Sequence, residues 1–233
     1  WQSLGVKADR IRLVGSIKFD PENVAARPDL PRAVLSTLGI DPTQPIFLGG
    51  STHAGEEKIL ATTFLQLRKE FHELFLVVAP RHAERAREIA LQLRQLGLPS
   101  ILRSEATAPT TDNCLLLDTT GELRDWYSIA TIVFIGKSLT AQGGQNPVEA
   151  IVANRPVVFG PHMENFAHLA AELVAAGGAV QVQDESELAG CLAKLLRDET
   201  SRARVVHQAQ QVLGVHRGAT TRTARLLEEI RPA

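Results

Sequence analysis

Five polar stretches hold most of the residues able to do chemistry. The first is GGSTHAGEE at 49–57. Small residues before a helix leave backbone N–H groups free at the positive end of its dipole, a setting that takes phosphate or carboxylate without a metal. Ser51 or Thr52 is expected to cap that helix, and His53 to donate to an anion. The Lys-Ser/Thr ending of a P-loop is absent. The second stretch is Pro80-Arg81-His82, directly after an apolar run, where the guanidinium fork of Arg81 matches phosphate or carboxylate. The third, Asp118-Thr119-Thr120-Gly121-Glu122, reads mostly as a helix start, with a Thr cap and Glu122 in the first turn. The fourth, Gly143-Gly144-Gln145-Asn146-Pro147-Val148-Glu149, places two glycines before an Asn cap, a Pro at the first helical position and Glu149 at N3. Glycines admit a ligand close to the backbone, the helix start suits a phosphate, and a carboxylate one turn in accepts from ribose hydroxyls. The same Glu149 also completes a capping box. The fifth, Gly160-Pro161-His162-Met163-Glu164-Asn165-Phe166, offers Glu164 and the expected cap Asn165. HExxH, CxxC, GxSxG and EF-hand patterns are absent, so no metal site is expected.

These stretches separate strand-like from helix-like runs. Strands are expected at 45–50, 74–80, 100–103, 114–118, 131–136, 155–160 and 179–182. Helices are expected at 55–71, 83–96, 121–129, from 146, and at 165–176 and 186–198, with one or two more from Ser201. Leu60, Phe64, Leu67 and Phe71 form one apolar stripe, and Ala86, Ile89, Ala90, Leu93 and Leu96 another, with Gly97 as a helix stop. About seven strands alternating with helices specify an α/β fold, a doubly wound parallel sheet of Rossmann-like form. Ligands bind beyond the carboxyl ends of such strands, where all five polar stretches fall. Residues 21–31, with Pro21, Pro28 and Pro31, are expected to be extended.

The chain has 233 residues, a formal net charge of −1 and 44% hydrophobic residues, an ordinary globular composition. Near-neutrality argues against nucleic acid as a partner. Cys114 and Cys191 lie in apolar runs and read as buried thiols rather than a disulfide or metal pair. No apolar run reaches the roughly 18–20 residues of a membrane span. Trp1 is not a natural start, so an excised piece of a longer protein is expected.

The order GSIKFD (15–20), STHAGEE (51–57), APRHAER (79–85), DTTGEL (118–123), GKSLTAQGGQNPVEA (136–150) and GPHMENF (160–166) resembles the carboxyl-terminal half of bacterial Kdo transferases, which transfer 3-deoxy-D-manno-octulosonic acid. The resemblance covers nearly the whole chain. It implies the carboxyl-terminal, donor-binding half of a GT-B glycosyltransferase, with residues 1–30 as linker or lead-in and 31–233 as the nucleotide-sugar domain. It implies CMP-Kdo as donor, no cofactor or metal, and a lipid A precursor as acceptor at the cytoplasmic face of the inner membrane. The acceptor surface, the membrane contact and the catalytic base would belong to an amino-terminal domain absent from this chain. The chain alone is then expected to bind nucleotide without transferring sugar.

By motif, Pro80 and Arg81 would help form the cytidine pocket, with Gly121 and Glu122 nearby. Ser51, Thr52 and His53 would face phosphate or sugar, Gly143, Gly144, Gln145 and Asn146 would line the phosphate site, and Glu149 would bind the ribose. Lys137 and Gln145 depart from the family pattern, where glycine and histidine are usual. Two other readings stay open: a UDP-sugar-dependent GT-B transferase or epimerase, and a non-catalytic nucleotide-binding module.

Overall fold

The computed structural model describes residues 1–20 and 26–229. Seven strands form one sheet: β1 (Ile46–Thr52), β2 (Phe75–Pro80), β3 (Ile101–Leu102), β4 (Cys114–Leu116), β5 (Ile132–Ile135), β6 (Val157–Phe159) and β7 (Val180–Gln181). Their order is β3-β4-β2-β1-β5-β6-β7 and every pairing is parallel. The chain winds outward from β1 through β2 to β4 and β3, then returns to the other side of β1 and winds outward again through β6 and β7. The switch in direction lies between β1 and β5, and folds of this kind bind ligands in the crevice beyond the strand ends there.

Buried strands with apolar residues on both faces need cover on both faces. In β1, Ile46 and Leu48 point to one layer and Phe47 to the other; in β2, Phe75, Val77 and Ala79 oppose Leu76 and Val78. The first layer is closed by α1 (Asp29–Thr37), α4 (Leu123–Tyr127), α5 (Val148–Val152), α6 (Ala167–Ala175) and α8 (Glu199–Gly214). The second is closed by α2 (Glu56–Leu67), α3 (Ala86–Gln95) and α7 (Glu185–Arg197). On α2 the expected stripe of Leu60, Phe64 and Leu67 is buried, while Phe71 lies past the helix end. On α3 the stripe of Ala86, Ile89 and Leu93 is buried, but Leu96 is exposed. Local caps set the last helices: the Asp184 carboxylate accepts from Ser186 N–H at the start of α7, and that of Asp198 from Ser201 N–H at the start of α8.

The remaining helix, α9 (Ala219–Glu229), holds the segment expected as a linker. Phe19 is buried between the rings of Phe166 and His216, at 6.2 and 5.3 Å. Asp20 accepts from the N–H groups of Gly218 and Thr220, Ser16 N–H donates to His216, and Arg222 donates to the Val14 carbonyl. Of the expected extended run 21–31, positions 21–25, including Pro21, lie outside the described residues. Pro28 and Pro31 stand at the start of α1, where proline fits a helix and needs no amide hydrogen. No helix among the described residues is long and apolar enough to cross a membrane.

Candidate functional site

The crevice is built around one carboxylate. Glu56 opens α2 and is fully buried. Its Oε2 accepts from the N–H groups of His53 and Lys137, both at 2.8 Å, and its Oε1 from those of Ser138 at 2.8 Å and Leu139 at 3.0 Å. Four amides from the loops after β1 and β5 thus converge on one side chain, which also sits favourably at a helix start. Glu57, also buried, accepts from the Thr52 hydroxyl at 3.1 Å and from Arg85 at 3.0 Å, which ties in the loop after β2. The Ser138 hydroxyl donates to the Ile135 carbonyl and accepts from Gly160 N–H at 2.9 Å, which draws in the loop after β6.

Main chain meets main chain at these strand ends. A Cβ on Gly136 would overlap the Ser51 carbonyl, and one on Gly160 would overlap that of Ser138. Glycine is required at both positions by backbone approach. Ser51 (φ 54°) and Lys137 (φ 57°) are left-handed although neither is glycine. Such backbone strain collects where function over-determines the structure.

The expected caps are corrected here. Ser51 and Thr52 do not cap α2: β1 runs on through an irregularity at Ser51 to pair Thr52 with Pro80, and Gly55 (φ 94°) precedes the helix with no side-chain cap. Gly49 and Gly50 accommodate protein rather than ligand, since Leu60 and the Tyr127 hydroxyl press against them. Asn146 Oδ1 does accept from Val148 N–H at 3.0 Å, but Glu149 does not complete the box; it pairs with Arg124 at 3.2 Å. Thr119 and Thr120 do not cap α4, and the Thr119 hydroxyl is buried without a partner among the described residues. Asn165 does not cap α6; its N–H donates to the Gly143 carbonyl at 2.8 Å.

Several expected contacts are therefore placed differently. Thr52 is fully buried on Glu57 and does not face the crevice, and Pro80 is buried beside it in β2. The amides of the glycine loop are engaged within the protein. Gly143 N–H donates to Glu164 at 2.5 Å, Gly144 N–H to the Lys137 carbonyl at 2.9 Å and Gln145 N–H to the Gly136 carbonyl at 3.0 Å. The Glu164 carboxyl is held below its ordinary value, chiefly by its own backbone N–H and then by that of Gly143. Gly143 (φ 118°) turns so that a Cβ there would face Asn165 and the Lys137 ammonium.

Side chains remain at the rim. Arg81 is exposed beyond β2, and its N–H donates to the Thr52 carbonyl. The His53 ring stands 6.3 Å from that of His82. Glu122 pairs with Arg103 at 2.9 Å beside exposed Gly121, and Asp118 accepts from Ser104. Arg81, Arg103 and Lys137 thus lie beyond strand ends, and Arg103 and Arg124 are paired with Glu122 and Glu149. Among the described residues no group of three or more His, Cys, Asp or Glu is placed to hold a metal ion.

Glu56 is the residue that sequence reasoning left without a place in the site, whereas Lys137 was expected to add a positive charge near the donor. The signal for Glu56 was present: it falls four residues before Leu60, on the core-facing stripe of α2, where an acid has no reason to lie unless it is bound.

An open, wholly parallel, doubly wound sheet with polar loops at its switch point is the form of the carboxyl-terminal domain of GT-B glycosyltransferases. No protein-family model matches the chain. It is 32% identical over 232 residues to 3-deoxy-D-manno-octulosonic acid transferase from Haemophilus influenzae, covering 98% of this chain and 53% of that protein. It is 32% identical over 228 residues to the protein of that name from Bordetella pertussis, covering 95% of this chain and 52% of that one. Among solved structures, the C-terminal CMP-Kdo binding domain of WaaA from Acinetobacter baumannii superposes with a TM-score of 0.70 and 26% identity, covering 80% of this chain and 97% of that one. The chain spans about half the length of the curated relatives it matches. Over that half it is a homologue of the Kdo transferases.

Proposed function

We propose that the chain is the donor-binding half of a glycosyltransferase that moves Kdo from CMP-Kdo to a lipid A precursor, at the cytoplasmic face of the inner membrane. The observation that carries this reading is the β1–β5 switch point, where Glu56 binds the loops after β1 and β5 together, in a chain homologous to Kdo transferases over nearly all its length. Arg81 and the glycine loop, with Lys137 and Gln145, form the side that receives the phosphate; His53 and Ser51 face the same space. Glu122 and Gly121 flank the base, and Glu149, oriented by Arg124, accepts from ribose hydroxyls. Asn146 shapes the turn into α5.

In this reading a base outside the chain deprotonates the acceptor hydroxyl, which attacks the anomeric carbon of Kdo as CMP leaves with the bonding electron pair. The domain lowers the barrier by presenting fixed positive charge to the departing phosphate, which needs no metal. The chain alone binds nucleotide and does not transfer sugar; acceptor and membrane contacts belong to the other half of such enzymes.

Thermal unfolding with CMP, UMP, UDP and no ligand tests this. A ligand at 100 times its dissociation constant stabilises the fold by about 2.7 kcal/mol. CMP is expected to raise the midpoint well above UMP and UDP, and Arg81→Ala to abolish the rise. A preference for UDP would move the assignment to a UDP-sugar enzyme. No response to any nucleotide would overturn nucleotide binding by this chain.

A further inference from the structure

A second concave site lies at the opposite edge of the sheet. The segments that lead into β1, β5 and β6, namely 42–44, 128–131 and 154–156, together with α1 and α8, line an open cavity of about 650 Å3. That volume suits a small-molecule ligand. Three of its lining side chains are arginines, Arg32, Arg155 and Arg202, against a single acid, Glu199. The two guanidinium groups of Arg32 and Arg155 are close enough that Arg32, after burial, holds the Arg155 pKa below its ordinary value.

Arg155 is the centre of the site. One of its terminal nitrogens donates to the Ser128 carbonyl, which fixes the side chain across the cavity. Its Nε–H is buried and has no hydrogen-bond partner among the described residues. A buried charged donor left unpaired is costly, and native proteins supply such groups with a partner. The neighbouring Asn154 is left-handed (φ 60°) and held by Gln210 on α8, so the turn that presents Arg155 is also fixed. Arg202 is anchored by the Leu195 and Leu196 carbonyls.

We propose that this cavity binds a phosphate monoester, through the guanidinium groups of Arg155, Arg32 and Arg202 at the amino ends of the central strands. A planar guanidinium meets phosphate oxygens with paired hydrogen bonds, and three of them match a dianion. The site is remote from the switch-point crevice and independent of which nucleotide that crevice takes.

The test uses inorganic phosphate as probe, titrated into the chain saturated with CMP and into the free chain, and followed by two-dimensional NMR. Saturable shifts are expected in the amides of Ser128–Thr131 and in the Arg155 Nε–H resonance. Loss of one guanidinium is expected to weaken this binding about tenfold or more. Arg155→Gln also removes the bond to Ser128 and could disturb the fold, so Arg32→Gln, on a half-exposed residue, is the second variant. Cosedimentation with phosphatidylcholine vesicles containing phosphatidic acid, lost in both variants, would assign the phosphate to a lipid headgroup. Binding in solution without cosedimentation would assign it to a soluble ester. Shifts confined to the switch-point loops, cavity shifts unchanged in both variants, or no response to either probe would overturn the proposal.

Discussion

Replacing Glu56 by Gln tests whether one carboxylate organises the crevice. Each carboxylate oxygen accepts two backbone N–H groups. The amide of Gln keeps one acceptor oxygen and presents an NH2 donor where the other stood. Two of the four N–H groups then face a donor and lose their partner. Hydrogen bonds to charged groups contribute about 1.5–3 kcal/mol each, and a stranded buried donor costs about 1–3 kcal/mol. The losses are not additive, because a loosened loop lets water reach the freed amides. A net destabilisation of about 3–4 kcal/mol is expected, comparable to breaking a buried ion pair from one side. Urea unfolding measures that total. Native-state hydrogen exchange locates it: Lys137, Ser138 and Leu139 amides should lose protection while those of β2 change only by the global term. Nucleotide affinity should fall with them, since Lys137 and the glycine loop lose their anchor. A Glu56→Gln chain as stable as the parent, with protection at 137–139 intact, would refute the reasoning.

Two further perturbations probe the frame. Gly160→Ala forces a methyl into the Ser138 carbonyl, where no flexible side chain can yield, and overpacking of this kind costs about 1–3 kcal/mol; a lowered urea midpoint with unchanged slope is expected, and no change would mean the β6 loop is not held against Ser138. Asp20 is held below its ordinary pKa of 3.8, chiefly by the Thr220 backbone N–H and then by the Thr220 hydroxyl. Its folded value lies below its unfolded one, so its contribution is present above about pH 4 and lost as pH falls through the folded value; Asp20→Asn should lower stability at neutral pH and flatten the acid limb below about pH 4, and an unchanged acid limb would count against the cap on α9.

The alternation of strands and helices was legible because strands buried on both faces read as unbroken apolar runs, such as PIFLGG and LFLVVAP, while α2 and α3 keep a helical stripe. The edge strands β3 and β7 shrink to two residues each, since a strand's length at a sheet edge is set by its single neighbour rather than by its own sequence. The five polar stretches were correctly placed at the carboxyl ends of strands. The use of their residues was not legible. Whether Thr52 caps a helix or ends a strand depends on Pro80 across the sheet, and whether a glycine amide is free depends on Glu164, on the loop after β6. The packing of residues 16–20 against α9 was hidden for the same reason: Phe19 and Asp20 find their partners some 200 residues away, beyond any local pattern.

That seam bears on the order of assembly. The bond from Ser16 to His216 closes a loop of 200 residues. Closing a long loop costs conformational entropy that grows with the logarithm of its length, so contacts between neighbouring elements form at less cost. Phe19 meets Phe166 on one side, but its other partner, His216, and the Asp20 partners Gly218 and Thr220 come last, so during synthesis the segment completes its packing only when the last helices leave the ribosome. Lys18 donates to the Asn165 carbonyl, and Asn165 in turn holds Gly143. The segment whose packing the last helices complete is thus bonded, through Asn165, to the glycine loop of the crevice.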